Sequence, residues 1–185
     1  MAEDKNRKPA GMSRKPVQPV EELAEVVLNV RRVAKVIKGG RRFAFSALVV
    51  VGDKKGMVGV ALGKSREVSS AISKAFRRAR KNMVAFPLYK TTIPYTVEGS
   101  HGASSVLIRS ASKGTGVIAG GAVRAVMEVL GVRDVLAKST GSANSQNVVK
   151  ATINALSKLR SASHIAALRG KTLKDLFGDK VNVSA

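Results

Sequence analysis

IKGGRRFAFSALVVVGDKKGMVGVALGKSREVSSAISKAFRRARKNM, residues 37–83, is the stretch whose reading decides the fold. Gly39-Gly40 accepts positive φ at a chain reversal and marks a hairpin. Phe43, Phe45, Ala47, Val49 and Val51 then share one face of a strand by alternation. Gly52-Asp53-Lys54-Lys55-Gly56 is a second turn, and Met57 to Gly63 a third strand. Val58, Val60 and Leu62 lie on one side of that strand; Gly59, Ala61 and Gly63 lie on the other, so another element must pack closely there. The period then changes from two to 3.6. Val68, Ala71, Ile72, Ala75, Phe76, Ala79 and Met83 form one apolar stripe of a helix.

Upstream, Glu25 to Lys38 alternates weakly and supplies the first strand of the hairpin. The Phe pair reads as core filling for a three-stranded sheet rather than as a stacking platform for bases. Residues 1–20 contain three of the five prolines and almost no apolar run, so they read as a tail. Its cations either drape onto phosphates or form a disordered extension; the sequence leaves both open.

Charge is the unusual term. The 185 residues hold 33 Lys+Arg against 12 Asp+Glu, a net charge of +21. Self-repulsion of that size weakens a compact state, so a polyanionic partner is expected, nucleic acid first. Between residues 26 and 96 there are sixteen basic residues, with only Asp53 and Glu67 as acids. The excess therefore sits on a folded unit. Arg31, Arg32, Lys35, Lys38, Arg41 and Arg42 flank the Gly39-Gly40 turn. Lys54 and Lys55 occupy the next turn. Lys64 and Arg66 are expected at the helix start, where unpaired N–H groups favour an anion. Arg77 and Arg78 lie on the helix, and Lys113 belongs to a later loop. Tryptophan is absent and aromatics are 4%, so single-stranded bases find little to stack on, and the expected partner is double-helical. Without cysteine there is no disulfide, thiolate nucleophile or Cys-ligated metal. No apolar run approaches the roughly 18 residues of a membrane span, and no signal peptide is legible.

A second unit, independent of the first, is expected from about Phe86. Thr91 to Val97 reads as an edge strand because of Pro94. Ser105 to Ser110 is another strand, and Gly114 to Gly121 a glycine loop opening a helix that Gly131 closes. Val135 to Ala137 is a short strand, Ser139 to Ser145 a small-polar loop. Val148, Val149, Thr152, Ile153, Leu156 and Leu159 form the stripe of a further helix. A short helix and docking segment follow from Ser163, with Leu176 and Phe177 either meeting a protein partner or folding back. The domains expected are thus a tail (1–20), a first unit (21–86), a second (87–162) and a docking tail (163–185).

Catalytic readings fail for want of residues. Gly114, Gly116 and Ala119 imitate a dinucleotide fingerprint, with Asp134 twenty residues on. The preceding segment is polar, however, and Asp134 comes before its strand rather than at the far end. His101 and His164 have no ligand partners at useful spacing. Carboxylates are scattered, so no acid/base pair is visible. Neither an enzyme nor a cofactor or metal site is expected.

Strand–strand–strand–helix with basic turns is the skeleton of a double-stranded-RNA-binding domain, with a strand in place of its usual first helix. Lys38 to Met83 and Gly114 to Leu156 together carry a more specific likeness: the chain resembles the ribosomal protein S-five family, bacterial or organellar, over about residues 20–175. The resemblance implies an α+β fold, with an N-terminal double-stranded-RNA-binding-like βββα unit and a C-terminal S-five domain-2-like α/β unit. The latter has the left-handed β-α-β form shared with some kinases and topoisomerases, which says nothing about catalysis. It further implies binding to small-subunit ribosomal RNA and stabilisation of the subunit's body and its junction with the head. The hairpin tip, Arg32 to Arg42, matches a family loop reaching RNA near the decoding region and the spectinomycin site. Ala34 departs from the serine often found there, which leaves drug response open. Gly116 and Arg124 match the region facing protein S-four, where translational accuracy is influenced, and protein S-eight is a further implied neighbour. The implied location is the cytoplasmic ribosome, or an organellar one. The alternatives are a free double-stranded-RNA-binding regulator, which leaves the second unit without a role, and an enzyme built on the glycine loop.

Overall fold

The computed structural model describes residues 23–173 and residue 175. Two four-stranded sheets and four helices make up this part of the chain. The first sheet has the order β1 (Ala24–Ile37), β2 (Gly40–Gly52), β3 (Met57–Ser65), β4 (Val84–Ala85), all antiparallel. Helix α1 (Val68–Lys81) follows β3. The second sheet has the order β5 (Val97–His101), β6 (Ser104–Ser110), β8 (Val135–Gly141), β7 (Val117–Ile118). Helix α2 (Gly121–Leu130) joins the parallel pair β7 and β8, and α3 (Ser145–Ser157) and α4 (Ala162–Leu168) follow β8.

Each face of the first sheet has its own cover. Ala47, Val49 and Val51 of β2 pack on Ala71, Ala75 and Ala79 of α1, with Phe45, Ile72 and Phe76 at the margin. The small residues of β3 permit this approach: a Cβ on Gly59 would lie 2.2 Å from the Ala79 carbonyl oxygen, and one on Gly63 2.1 Å from that of Ala71. The other face presents Leu48, Val50 and Val58 to Val129 and Leu130 of α2. That cluster continues through Ile93, Val106, Ile108, Val149 and Leu156, between the second sheet and α2 and α3. The sequence suggested a second unit independent of the first; instead, one core runs through both.

The β2–β3 turn locks the two together. Lys54 N–H donates to the Val129 carbonyl at 3.0 Å and Gly56 N–H to that of Leu130 at 3.1 Å, satisfying helix-end acceptors that α2 cannot satisfy itself. Gly131 ends α2 at φ +96°, and any Cβ there would sit 2.1 Å from the Lys54 oxygen.

Several elements differ from the sequence expectation: the short strands β4 and β7 were not foreseen, the latter lying within the expected glycine loop. Thr91–Tyr95 is not a strand. The Thr91 carbonyl accepts from Arg133 N–H (2.8 Å) and Asp134 N–H (3.1 Å), and the Tyr95 hydroxyl donates to the Lys158 carbonyl (3.0 Å), so this segment buttresses loops instead of pairing in a ladder. The strand begins only at Val97. Conversely, β8 runs on to Gly141, through residues expected to be loop, because β6 pairs with it along its length from Ser104↔Gly141 to Ser110↔Val135.

Candidate nucleic-acid interface

Strands β1 and β2 continue well past the edge of the body. From Val30 to Phe43 every residue is exposed, so both faces of this two-stranded ribbon meet solvent. Register assigns the faces. Arg32↔Phe45, Ala34↔Phe43 and Val36↔Arg41 share the side that α1 covers further down. Arg31↔Ser46, Val33↔Ala44 and Lys35↔Arg42 share the opposite side. Cations thus project from both faces, six of them between residues 31 and 42 with no acid among them. Gly39 and Gly40 make the reversal at φ +92° and +143°. Val36 is 73% exposed and Phe43 49%, so the ribbon also carries apolar surface. Phe45 packs at the margin of the core as expected, but Phe43 does not; the Arg32 guanidinium stacks 4.7 Å above its ring centre.

The other predicted contacts scatter. Lys54 and Lys55 lie at the far end of β2 from the hairpin tip, about 40 Å away at strand rise. Asp53 Oδ1 shapes their turn by accepting from Lys55 N–H (2.7 Å) and Met57 N–H (2.9 Å), with Lys54 at φ +58°. The backbone of this turn docks on α2 while both lysine side chains stay exposed. Lys64 is not at the helix start. It lies within β3, beside Ser46, on the face away from α1. Arg66 is in the connecting loop, and at the start of α1 stands the protein's own Glu67, which accepts from Ser70 Oγ at 3.2 Å. Arg77 and Arg78 are on α1, and Arg78 donates to the Leu62 carbonyl at 3.1 Å. Lys113 is exposed in the glycine loop of the second unit. Leu176 and Phe177 lie outside the described residues, as does the N-terminal tail.

The glycine loop has an internal anchor that its sequence did not announce. Asp134, 4% exposed, accepts from Gly114 N–H at 2.9 Å and Gly116 N–H at 3.1 Å through Oδ1. Donation by Gly116, and next by the Thr91 hydroxyl, holds its carboxyl below the ordinary value against the opposing effect of burial. The acid that imitated a ribose ligand is a staple for the loop. Arg124 Nη2 donates to the Val117 carbonyl at 3.1 Å and braces the loop's other side. Gly116 adopts φ +77° with open space beyond, which places the loop at the surface. Among the described residues no group of His, Asp or Glu is arranged to hold a metal, and no helix is long and apolar enough to cross a membrane.

The family model described as Ribosomal protein S5, N-terminal domain, matches residues 23–87, and that of the C-terminal domain matches residues 99–169. The chain belongs to the ribosomal protein S5 family. Among its relatives named Small ribosomal subunit protein uS5, that of Lawsonia intracellularis is 57% identical over 150 residues, covering 81% of this chain and 92% of the relative. Those of Treponema denticola and Marinobacter nauticus are each 54% identical, covering 85% and 87% of this chain and 91% and 97% of theirs. The S5 family consists of structural ribosomal proteins rather than enzymes, in keeping with a molecule whose glycine loop is held by its own aspartate.

Proposed function

We propose that this chain is a structural component of the small ribosomal subunit, working on ribosomes of the cytoplasm or of an organelle. It binds small-subunit ribosomal RNA chiefly through the β1–β2 ribbon. The single observation that carries this reading is a ribbon exposed on both faces, bearing six cations and no acid. Such a ribbon repels itself in isolation and is relieved by phosphates on either side, so it suits insertion between RNA helices. Its exposed Val36 and Phe43 add apolar contact with riboses or base edges. Held this way, the protein stabilises the body of the subunit and its junction with the head.

The glycine loop serves a neighbouring protein. Gly116 and Arg124 fix its shape at the surface, which supports contact with protein S-four there and an influence on translational accuracy. A side chain at Gly116 is strained by the positive φ rather than by a clash, so substitution reshapes the loop while sparing the core. Protein S-eight, Leu176 and Phe177 belong to the same proposal for the C-terminal half.

The test combines sedimentation with salt dependence. The protein should travel with small subunits at physiological salt. Replacing Lys38, Arg41 and Arg42 by Ala should reduce the slope of log K against log salt for RNA binding by at most about 0.9 for each phosphate no longer neutralised. An unchanged slope removes the ribbon tip from the interface.

A further inference from the structure

At the base of the ribbon, register brings three residues of three strands into one row. Arg31 of β1 pairs with Ser46 of β2, which pairs with Lys64 of β3. All three point to the face away from α1. Two strand spacings separate the cations, about 10 Å between their backbones, which leaves room between the side chains for one phosphate group. The next row, Asn29–Leu48–Leu62, makes an apolar floor with a polar edge. Opposite stand Asn144, Ser145 and Gln146 at the start of α3, more than 110 residues from Arg31 in the chain. Between them lies a cleft of about 200 Å³. No acidic side chain lines it, and among the described residues neither Arg31 nor Lys64 has an ion-pair partner.

We propose that this cleft is a second site for the RNA sugar-phosphate backbone, with Arg31 and Lys64 holding a phosphate and Ser46, Asn144, Ser145 and Gln146 supplying neutral hydrogen bonds to phosphate and ribose oxygens. The proposal rests on the reading above that the chain binds ribosomal RNA, and adds a contact in which both halves of the protein take part. Two features single out a nucleic-acid backbone over an acidic protein side chain. The cleft combines two cations with several neutral donors, which matches an anion flanked by hydroxyls better than a lone carboxylate. The same face also continues outward to Lys35 and Arg42, four residues along each strand, so a polyanion laid along it meets cations in succession.

The deciding variant is Ser145→Glu in the full chain. A carboxylate in the first turn of α3 suits the helix dipole, and Asn144 still caps Gln146 N–H, so the fold is retained. The probe is purified small-subunit ribosomal RNA. The thermal midpoint should stay level or rise. RNA affinity should fall about tenfold or more, with the salt slope smaller by about one phosphate. The neutral Ser145→Gln, matched to Glu in size and still able to hydrogen-bond, should lose clearly less affinity than Ser145→Glu, with the salt slope kept; an equal loss in both would overturn the proposal. If Ser145→Glu binds RNA with unchanged affinity and slope, the cleft is not an RNA site, although ribbon binding stands. If it binds RNA normally but fails to enter subunits, the occupant is a protein acid and the proposal is overturned. Failure of the unsubstituted chain to bind ribosomal RNA at all would defeat the broader reading as well.

Discussion

Asp134 shows how one buried side chain decides the shape of a surface. The glycines at 114 and 116 are free to take many conformations, and both use positive φ. Their two N–H groups converge on a single carboxylate oxygen, which selects one loop from that freedom. The carboxyl is held below its ordinary value, so the sign of the pH dependence follows. Its stabilising contribution is full above the unfolded value, near 3.8, and is lost as pH falls through the lower folded value. Asp134→Asn keeps the size but not the charge. It should be less stable than the unsubstituted protein at neutral pH, and the gap should narrow as acid protonates the native carboxyl. Paired unfolding curves between neutral and strongly acid pH measure this; a gap independent of pH would mean that the loop does not depend on the charge.

Among the elements, helices and hairpin were the most legible in the sequence. The stripe from Val68 to Ala79 marked α1, and Gly39-Gly40 marked the tight turn, because these signals depend on local spacing alone. Alternating glycines on β3 foretold the close approach of α1. The same small-residue packing hid β5. Its Gly99 lies against α3, where a Cβ would be 2.3 Å from Ala155 N, so the strand lacks the apolar pattern that marks strands. Thr91–Tyr95 misled in the opposite direction, having strand-forming residues whose hydrogen bonds go to loops. Least legible was the docking of the β2–β3 turn on α2, which joins residues far apart in the chain. It carries a prediction of its own. Gly131→Ala forces a side chain onto positive φ and against the Lys54 carbonyl, and should cost about 2 kcal/mol or more. Because one core links the sheets, amide hydrogen exchange should quicken in β2 and β6 together. Protection reduced in β6 alone would show that the two halves unfold separately.

The chain as a whole divides its labour by burial rather than by domain. Apolar residues of both units meet in a common core that fixes two surfaces. One is a cationic ribbon with its base at the junction of the halves; the other is the glycine loop on the second sheet. The composition foretold the polyanion, and the two matched segments foretold the family. The row Arg31–Ser46–Lys64 facing Asn144–Gln146 was hidden, since it needs three strand registers and a helix position at once. The central claim is that the ribbon is the part of the molecule that enters RNA. Its most direct test is a photo-crosslinker placed singly at Arg41 in assembled small subunits, with one at exposed Lys150 on α3 for comparison. The account predicts that the Arg41 probe joins small-subunit ribosomal RNA in high yield, well above the Lys150 probe. Crosslinks from Arg41 to protein alone, or RNA yields no higher than those from Lys150, would contradict it.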